Sequence, residues 1–130
     1  MTTHILALGG GGFSMSNRGE PTALDRHILD LSGKSSPLVC FAPTAAADDP
    51  VYVNRFLAAY SALGVRNMVL TLWQGAAESV ERLSQADIVV SGGGSAANLM
   101  ALWKMHGVDH VIRRMIAADS DVVLAGVSAG

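Results

Sequence analysis

The sequence predicts an α/β three-layer sandwich around a mostly parallel sheet, and three observations predict it. Short apolar runs alternate with stretches of helical spacing from one end of the chain to the other. Half of the 130 residues are apolar and only 15% are charged, which suits a chain that buries a sheet on both faces. Glycines or other small residues follow most of the apolar runs on their C-terminal side, where an open sheet of this class receives ligands. Strands separated by helices require crossover connections, and crossovers of one hand give parallel neighbours.

Taken in order, strands are expected at His4–Leu8, Leu38–Ala42, Asn67–Leu72, Asp87–Ser91 and Asp121–Ala125, each short and nearly continuous in apolar residues. Pro21 suits the first turn of a helix whose face is Leu24, Ile28, Leu29 and Leu31 and which ends near Gly33. Asp48 or Asp49 can cap the next helix, with Pro50 at its start and Val53, Phe56, Leu57, Tyr60 and Leu63 on one side before Gly64. Ala76–Leu83 forms a short third helix, Ala96–Lys104 a fourth, and Val108–Ala118 a further segment after Gly107. No repeat, low-complexity tract or long linker interrupts the alternation, so residues 1–130 are read as a single α/β domain.

Composition excludes several classes. A formal charge of −2, with Lys and Arg scattered singly, is not a nucleic-acid surface. The run Ile5-Leu6-Ala7-Leu8 is too short for a signal-peptide core, and no stretch approaches a membrane span, so the expected location is cytoplasmic with no membrane partner. Cys40, within Pro37–Ala42, is expected to be a small buried core residue.

The most informative segment is Gly126-Val127-Ser128-Ala129-Gly130, directly after the last apolar run. A serine that turns sharply from strand into helix holds strained backbone geometry, and side chains two residues either side would collide, so glycine is needed at both flanks. Ser128 is the candidate nucleophile. Gly92-Gly93-Gly94-Ser95 follows another strand at the same sheet edge and can bring backbone N–H groups close to a substrate carbonyl.

Other motifs are weaker. Gly9–Gly12 follows a strand, yet a dinucleotide fingerprint needs glycine where Ser14 or Met15 stands, and no acidic residue follows the second strand. Gly33-Lys34-Ser35 leads into a strand rather than a helix, and is read as a solvated turn. His106 and His110 are four apart but Gly107 interrupts them and no third ligand is evident, so no metal is assigned. None of the four histidines is a convincing general base, since His4 opens the first strand at the far edge and His27 lies on a helix. Trp73, Trp103, Met100, Met105 and Met115 are read as core or interface surface, while Asn54 and Arg55 stay open as pocket residues.

Together, Ala7–Met15, Cys40-Phe41-Ala42-Pro43-Thr44-Ala45, Ser91–Ser95 leading to Leu99 and Trp103, and Ala125–Gly130 resemble the peptidase E (α-aspartyl dipeptidase) and cyanophycinase family of serine peptidases. The resemblance runs through the whole chain in the expected order. It implies a class I glutamine amidotransferase-like, flavodoxin-like sheet, with Ser128 as nucleophile and an oxyanion hole from the N–H groups of Gly94 and Ala129. Gly93 and Ser95 then border the substrate. In the family, the base histidine and its acidic partner come after the serine, which places them beyond Gly130. Ser95-Ala96 stands where the family commonly has Asn-Thr, so the resemblance points to hydrolysis without fixing aspartyl specificity.

The leading expectation is a serine-type exopeptidase or dipeptidase acting on a small peptide, with no cofactor. The 130 residues alone are expected to be inactive, because a serine hydroxyl needs a base. A chain ending here would leave its last strand and one sheet face uncovered, so association with a C-terminal half, covalent or not, or a homodimer, is expected. The alternative is a noncatalytic small-ligand-binding or regulatory domain of the same fold.

Overall fold

The computed structural model describes residues 2–118 and 121–130. Five strands are present among them: β1 (His4–Leu8), β2 (Leu38–Ala42), β3 (Arg66–Val69), β4 (Ile88–Ser91) and β5 (Val123–Val127). The helices are α1 (Ala23–Leu31), α2 (Pro50–Ala62), α3 (Ala76–Leu83), α4 (Ala96–His106) and α5 (Val108–Ala117). All strand pairs are parallel, in the spatial order β1-β5-β4-β2-β3. The chain moves across the sheet from β1 through β2 to β3 by way of α1 and α2, then returns to β4 and β5 by way of α3, α4 and α5. Crossovers of a single hand therefore place α1 and α2 on one face and the other three helices on the opposite one. The expected three-layer α/β sandwich is the result.

On the first face, Phe13, Val39, Phe41, Phe56, Tyr60, Ile88, Val90, Val123 and Ala125 form a closed core with Ile28. Phe41 stacks on Phe56 at 4.6 Å between ring centroids, and Phe56 on Tyr60 at 4.7 Å. The Tyr60 hydroxyl donates to the Asp25 carboxylate at 2.9 Å, whose other oxygen accepts the Thr22 N–H at 2.8 Å and thereby closes the start of α1. Burial, with the Asp25 charge and hydrogen bond beside it, holds the Tyr60 hydroxyl above its ordinary titration range. The second core gathers Cys40, Leu70, Leu83, Val89, Val108, Val111 and Val122. Burial pushes the Cys40 thiol up to about 12, which matches a structural rather than a reactive cysteine.

Several boundaries differ from the sequence expectation, for identifiable reasons. β5 is displaced two residues toward the C-terminus, because its ladder with β1 pairs Ala7 with Gly126 and Leu8 with Val127. β3 stops at Val69 rather than reaching Leu72: the Asp48 carboxylate accepts the N–H groups of Leu72 (2.8 Å) and Trp73 (3.0 Å) and draws the chain out of the sheet. Of the two expected cap candidates it is Asp49 that caps α2, accepting the Val51 N–H at 3.1 Å. Short 3₁₀ turns at Gly12–Met15 and Thr44–Ala46 were not expected. The expectation that every strand is covered on both faces fails at β1, where Ile5 is 75% exposed.

Candidate active site

β5 lies between β1 and β4, and the segments leaving those two neighbours depart toward opposite faces of the sheet. Such a divergence opens a crevice at the carboxyl end of the central strand. Ser128 is the first residue past β5 and stands at that opening, exposed to solvent. Its φ of 55° is left-handed, a conformation shared among the described non-glycine residues only with Ala47 and Asp48. Two hydrogen bonds enforce the bend. The Ser128 N–H is still held by Leu8 O at 2.8 Å, as if the strand continued, while the Gly130 N–H turns back to Val127 O at 2.9 Å.

The flanking glycines are required by contact. A β-carbon on Gly126 would lie 2.6 Å from the carbonyl of Gly130, and one on Gly130 would lie 2.3 Å from the Ser91 carbonyl oxygen. The bend therefore folds back on itself and onto the end of β4 with no room for a side chain. Gly93 lies beside the serine, since a β-carbon there would be 3.3 Å from Ser128 Cβ and 3.9 Å from Ser128 Oγ.

Residues 92–95 are tied down by three successive supports. The Gly92 N–H donates to Ala42 O at 3.0 Å, the Gly93 N–H to the Tyr52 hydroxyl at 3.2 Å, and the Ser95 N–H to Ala45 O at 2.7 Å. Gly94, at φ 144°, presses on the Ala45 peptide so closely that a β-carbon would meet its oxygen at 2.2 Å. The N–H groups of Gly94 and Ala129 have no hydrogen-bond partner among the described residues. At this sheet edge, then, the main chain offers two donors unspent among the described residues, one from the β4 loop and one from the turn after Ser128.

Ser95 is used inside the fold: its hydroxyl accepts the Asn98 N–H at 3.2 Å and caps α4. Trp103, read as core or interface surface, also has a polar task, donating its indole N–H to Thr44 Oγ1 at 3.0 Å and linking α4 to the loop after β2. Arg55 binds the Ser16 carbonyl at 2.8 Å, so its guanidinium braces the segment after β1. Sequence reasoning missed Tyr52 and Ala45 as supports, because neither a lone tyrosine nor an alanine carbonyl carries a spacing signal.

Below the serine, on the face opposite α1 and α2, a groove of about 580 Å³ runs along β1 and β5, lined by Ile5, Ala7, Leu124, Trp103 and Ile112 and reaching Ser128 and Gly130. Ser91 also lines it; the residue is 4% exposed and its Oγ has no hydrogen-bond partner among the described residues.

The model of Peptidase family S51 matches residues 5–130. The chain belongs to peptidase family S51. Its similarity to the uncharacterized peptidase YgaJ of Bacillus subtilis (strain 168) is 39% identity over 127 residues, 97% of this chain and 54% of that protein. The S51 chain thus spans about half the length of the curated relative it matches. Among solved structures, a protein of Listeria monocytogenes EGD-e provisionally described as Peptidase E superposes with a TM-score of 0.66 at 21% identity, covering 100% of this chain and 60% of that one. A peptidase from an acI-B1 Actinobacterium gives the same TM-score at 19% identity, covering 97% of this chain and 54% of its own. At these identities the structural matches show the fold, which the S51 chain shares over its whole length.

Proposed function

We propose that this chain carries the nucleophile and oxyanion hole of a serine-type exopeptidase or dipeptidase that hydrolyses an amide bond of a small peptide. Ser128 Oγ attacks the carbonyl carbon, and the N–H groups of Gly94 and Ala129 receive the oxygen as it becomes negative. The peptide slides past Gly93, which leaves room for it by having no side chain, with Ser95 at the rim. The observation that carries this reading is the left-handed bend at Ser128, at the sheet edge where the Gly94 and Ala129 N–H groups have no partner among the described residues, since backbone strain held at a non-glycine residue gathers at functional sites. No histidine of the described chain is placed at the serine. The proton acceptor and its acidic partner are assigned to additional residues, corresponding to the greater length of the relatives. We place a helix of that same segment, leading on from the Ser128 turn, in the groove along β1 and β5, where a polar group of its first turn would satisfy the Ser91 hydroxyl. A cytoplasmic location accompanies this reading.

Chemically, the serine adds to the carbonyl, the C–N bond breaks as the base passes the serine proton to the leaving amine, and water then releases the acyl group by the reverse relay. Each oxyanion donor is expected to contribute about 3 kcal/mol to the transition state. The test is labelling of the natural gene product with an active-site-directed fluorophosphonate. Wild-type protein should be labelled on Ser128 and the Ser128→Ala variant should not. Absence of labelling, or equal labelling of the variant, would favour a noncatalytic ligand-binding domain of this fold.

A further inference from the structure

The four amides of residues 92–95 are not equivalent. Gly92, Gly93 and Ser95 have acceptors, and Gly94 has none among the described residues. Two of the acceptors, Ala42 O and Ala45 O, are main-chain carbonyls at the end of β2 and in the turn after it, so their positions follow from the sheet. The third, the Tyr52 hydroxyl, is the only side chain among them. Tyr52 lies in the first turn of α2, and its ring is itself fixed, edge-on to Phe41 at 5.0 Å and 72° and 5.9 Å from Phe13. The ring also lies against the loop: a β-carbon on Gly92 would fall 2.8 Å from Tyr52 Cε2 and 2.9 Å from its oxygen.

We propose that Tyr52 is a positioning residue of the hydrolytic site, fixing the direction in which the Gly94 N–H points. The proposal rests on the reading of Ser128 as nucleophile and of Gly94 as oxyanion donor. Its physical basis is the order of the peptide planes. The Gly93 N–H belongs to the plane before the one that carries the Gly94 N–H, and the Ser95 N–H to the plane after it. Tyr52 holds the first and Ala45 the last, so the middle plane is bracketed. Consecutive glycines have almost no intrinsic preference that would do this instead. A donor to a developing oxyanion must be held within about 0.5 Å and 20° of its working position. Without the hydroxyl, the half-buried Gly93 N–H loses its acceptor, and a rotation of its plane toward solvent would carry the Gly94 donor with it.

The test is Tyr52→Phe in the natural gene product, which keeps the ring and removes the acceptor. Expected is a fall in kcat of about 10- to 100-fold with KM within about twofold of wild type, the signature of a misaligned group that acts in the transition state. Amide hydrogen exchange should rise at least about tenfold at Gly93 and remain unchanged at Val89 and Val90 in β4. A wild-type enzyme that labels with fluorophosphonate, paired with a variant whose kcat or Gly93 exchange is unaltered, overturns the role of Tyr52 and leaves the hydrolase reading standing. A variant that only melts earlier, with kcat of the folded protein preserved, overturns it equally. Wild-type protein that neither turns over peptides nor labels removes the hydrolase reading, and this inference with it.

Discussion

Over the face covered by α1 and α2, Val39, Phe41, Ile88 and Val90 are essentially inaccessible and Phe41 stacks on Phe56, whereas over β1 and β5 on the other face Ile5 is 75% exposed and Ala7 lies open. The same two strands contribute Leu6, Leu8, Val123 and Ala125 to the closed face. The difference teaches where the site depends on what. The hydrogen-bond supports of the Ser128 turn and of residues 92–95 come from the carbonyls of β1, β5, β2 and the turn after β2, with the Tyr52 hydroxyl of α2. The groove beneath the turn, bordered by Ser91, whose hydroxyl has no partner among the described residues, is where the proposed function places the base-bearing segment.

The sharpest way to break this comparison is through glycine. Gly94→Ala and Gly130→Ala each drive a methyl group into a main-chain carbonyl, and should cost more than about 4 kcal/mol in denaturant unfolding or prevent folding altogether. Gly9→Ala and Gly10→Ala, in the run of four glycines after β1, meet nothing within 4 Å and have no left-handed φ, so they should change stability by less than about 0.5 kcal/mol. A large effect at Gly9 or Gly10 would reveal a ligand or segment approaching there.

Truncations of apolar side chains compare the two faces directly. Phe56→Ala, in the aromatic stack, should cost about 3–4 kcal/mol. Ile5→Ala should cost less than about 0.5 kcal/mol for the 130-residue chain but about 2–3 kcal/mol in a protein whose groove is occupied. Equal, small effects in both would mean that nothing packs on β1 and β5. A smaller loss is expected for Tyr60→Phe, which leaves Asp25 with Thr22 as partner and removes one buried hydrogen bond, at about 1–2 kcal/mol.

The smallest effect concerns pH, at the amino end of the sheet. Burial by itself would raise the Asp87 carboxyl, but its hydrogen bonds from Lys34 and the Leu38 N–H, with the charges of Lys34 and Arg66, outweigh it and hold the group below its usual value. A carboxylate depressed in the folded state adds stability above its unfolded pKa, and that stability fades as pH falls through the folded one. The slope of stability against pH below about 4 should therefore be shallower in Asp87→Asn than in wild type. An identical slope would assign the acid sensitivity elsewhere.

Much of this architecture was legible in the sequence because buried parallel strands need near-continuous apolar runs, which Leu38–Ala42 and Asp87–Ser91 supply. The turn at Ser128 was legible because its steric demands fall on Gly126 and Gly130. What stayed hidden is tertiary. The Asp48 carboxylate shortens β3 by capturing two amides 24 and 25 residues away, and nothing in the local pattern of Asn67–Leu72 announces it. Tyr52 was missed for a related reason: its ring belongs to an aromatic cluster of the kind any amphipathic helix buries, and only the hydrogen bond from the Gly93 N–H sets it apart. An uncovered sheet face was expected beside the last strand, but its extension to β1 was not, since Ile5-Leu6-Ala7-Leu8 reads as covered on both sides whether or not a helix lies there.

The central claim is that Ser128 is presented to a tetrahedral adduct held by two main-chain donors, and the crystal structure of the fluorophosphonate-treated natural protein tests it most directly. The account predicts phosphorus bonded to Ser128 Oγ, with the phosphoryl oxygen about 3 Å from both the Gly94 and Ala129 nitrogens. Phosphorus on another residue, or a phosphoryl oxygen turned away from the Gly94 amide, would contradict it.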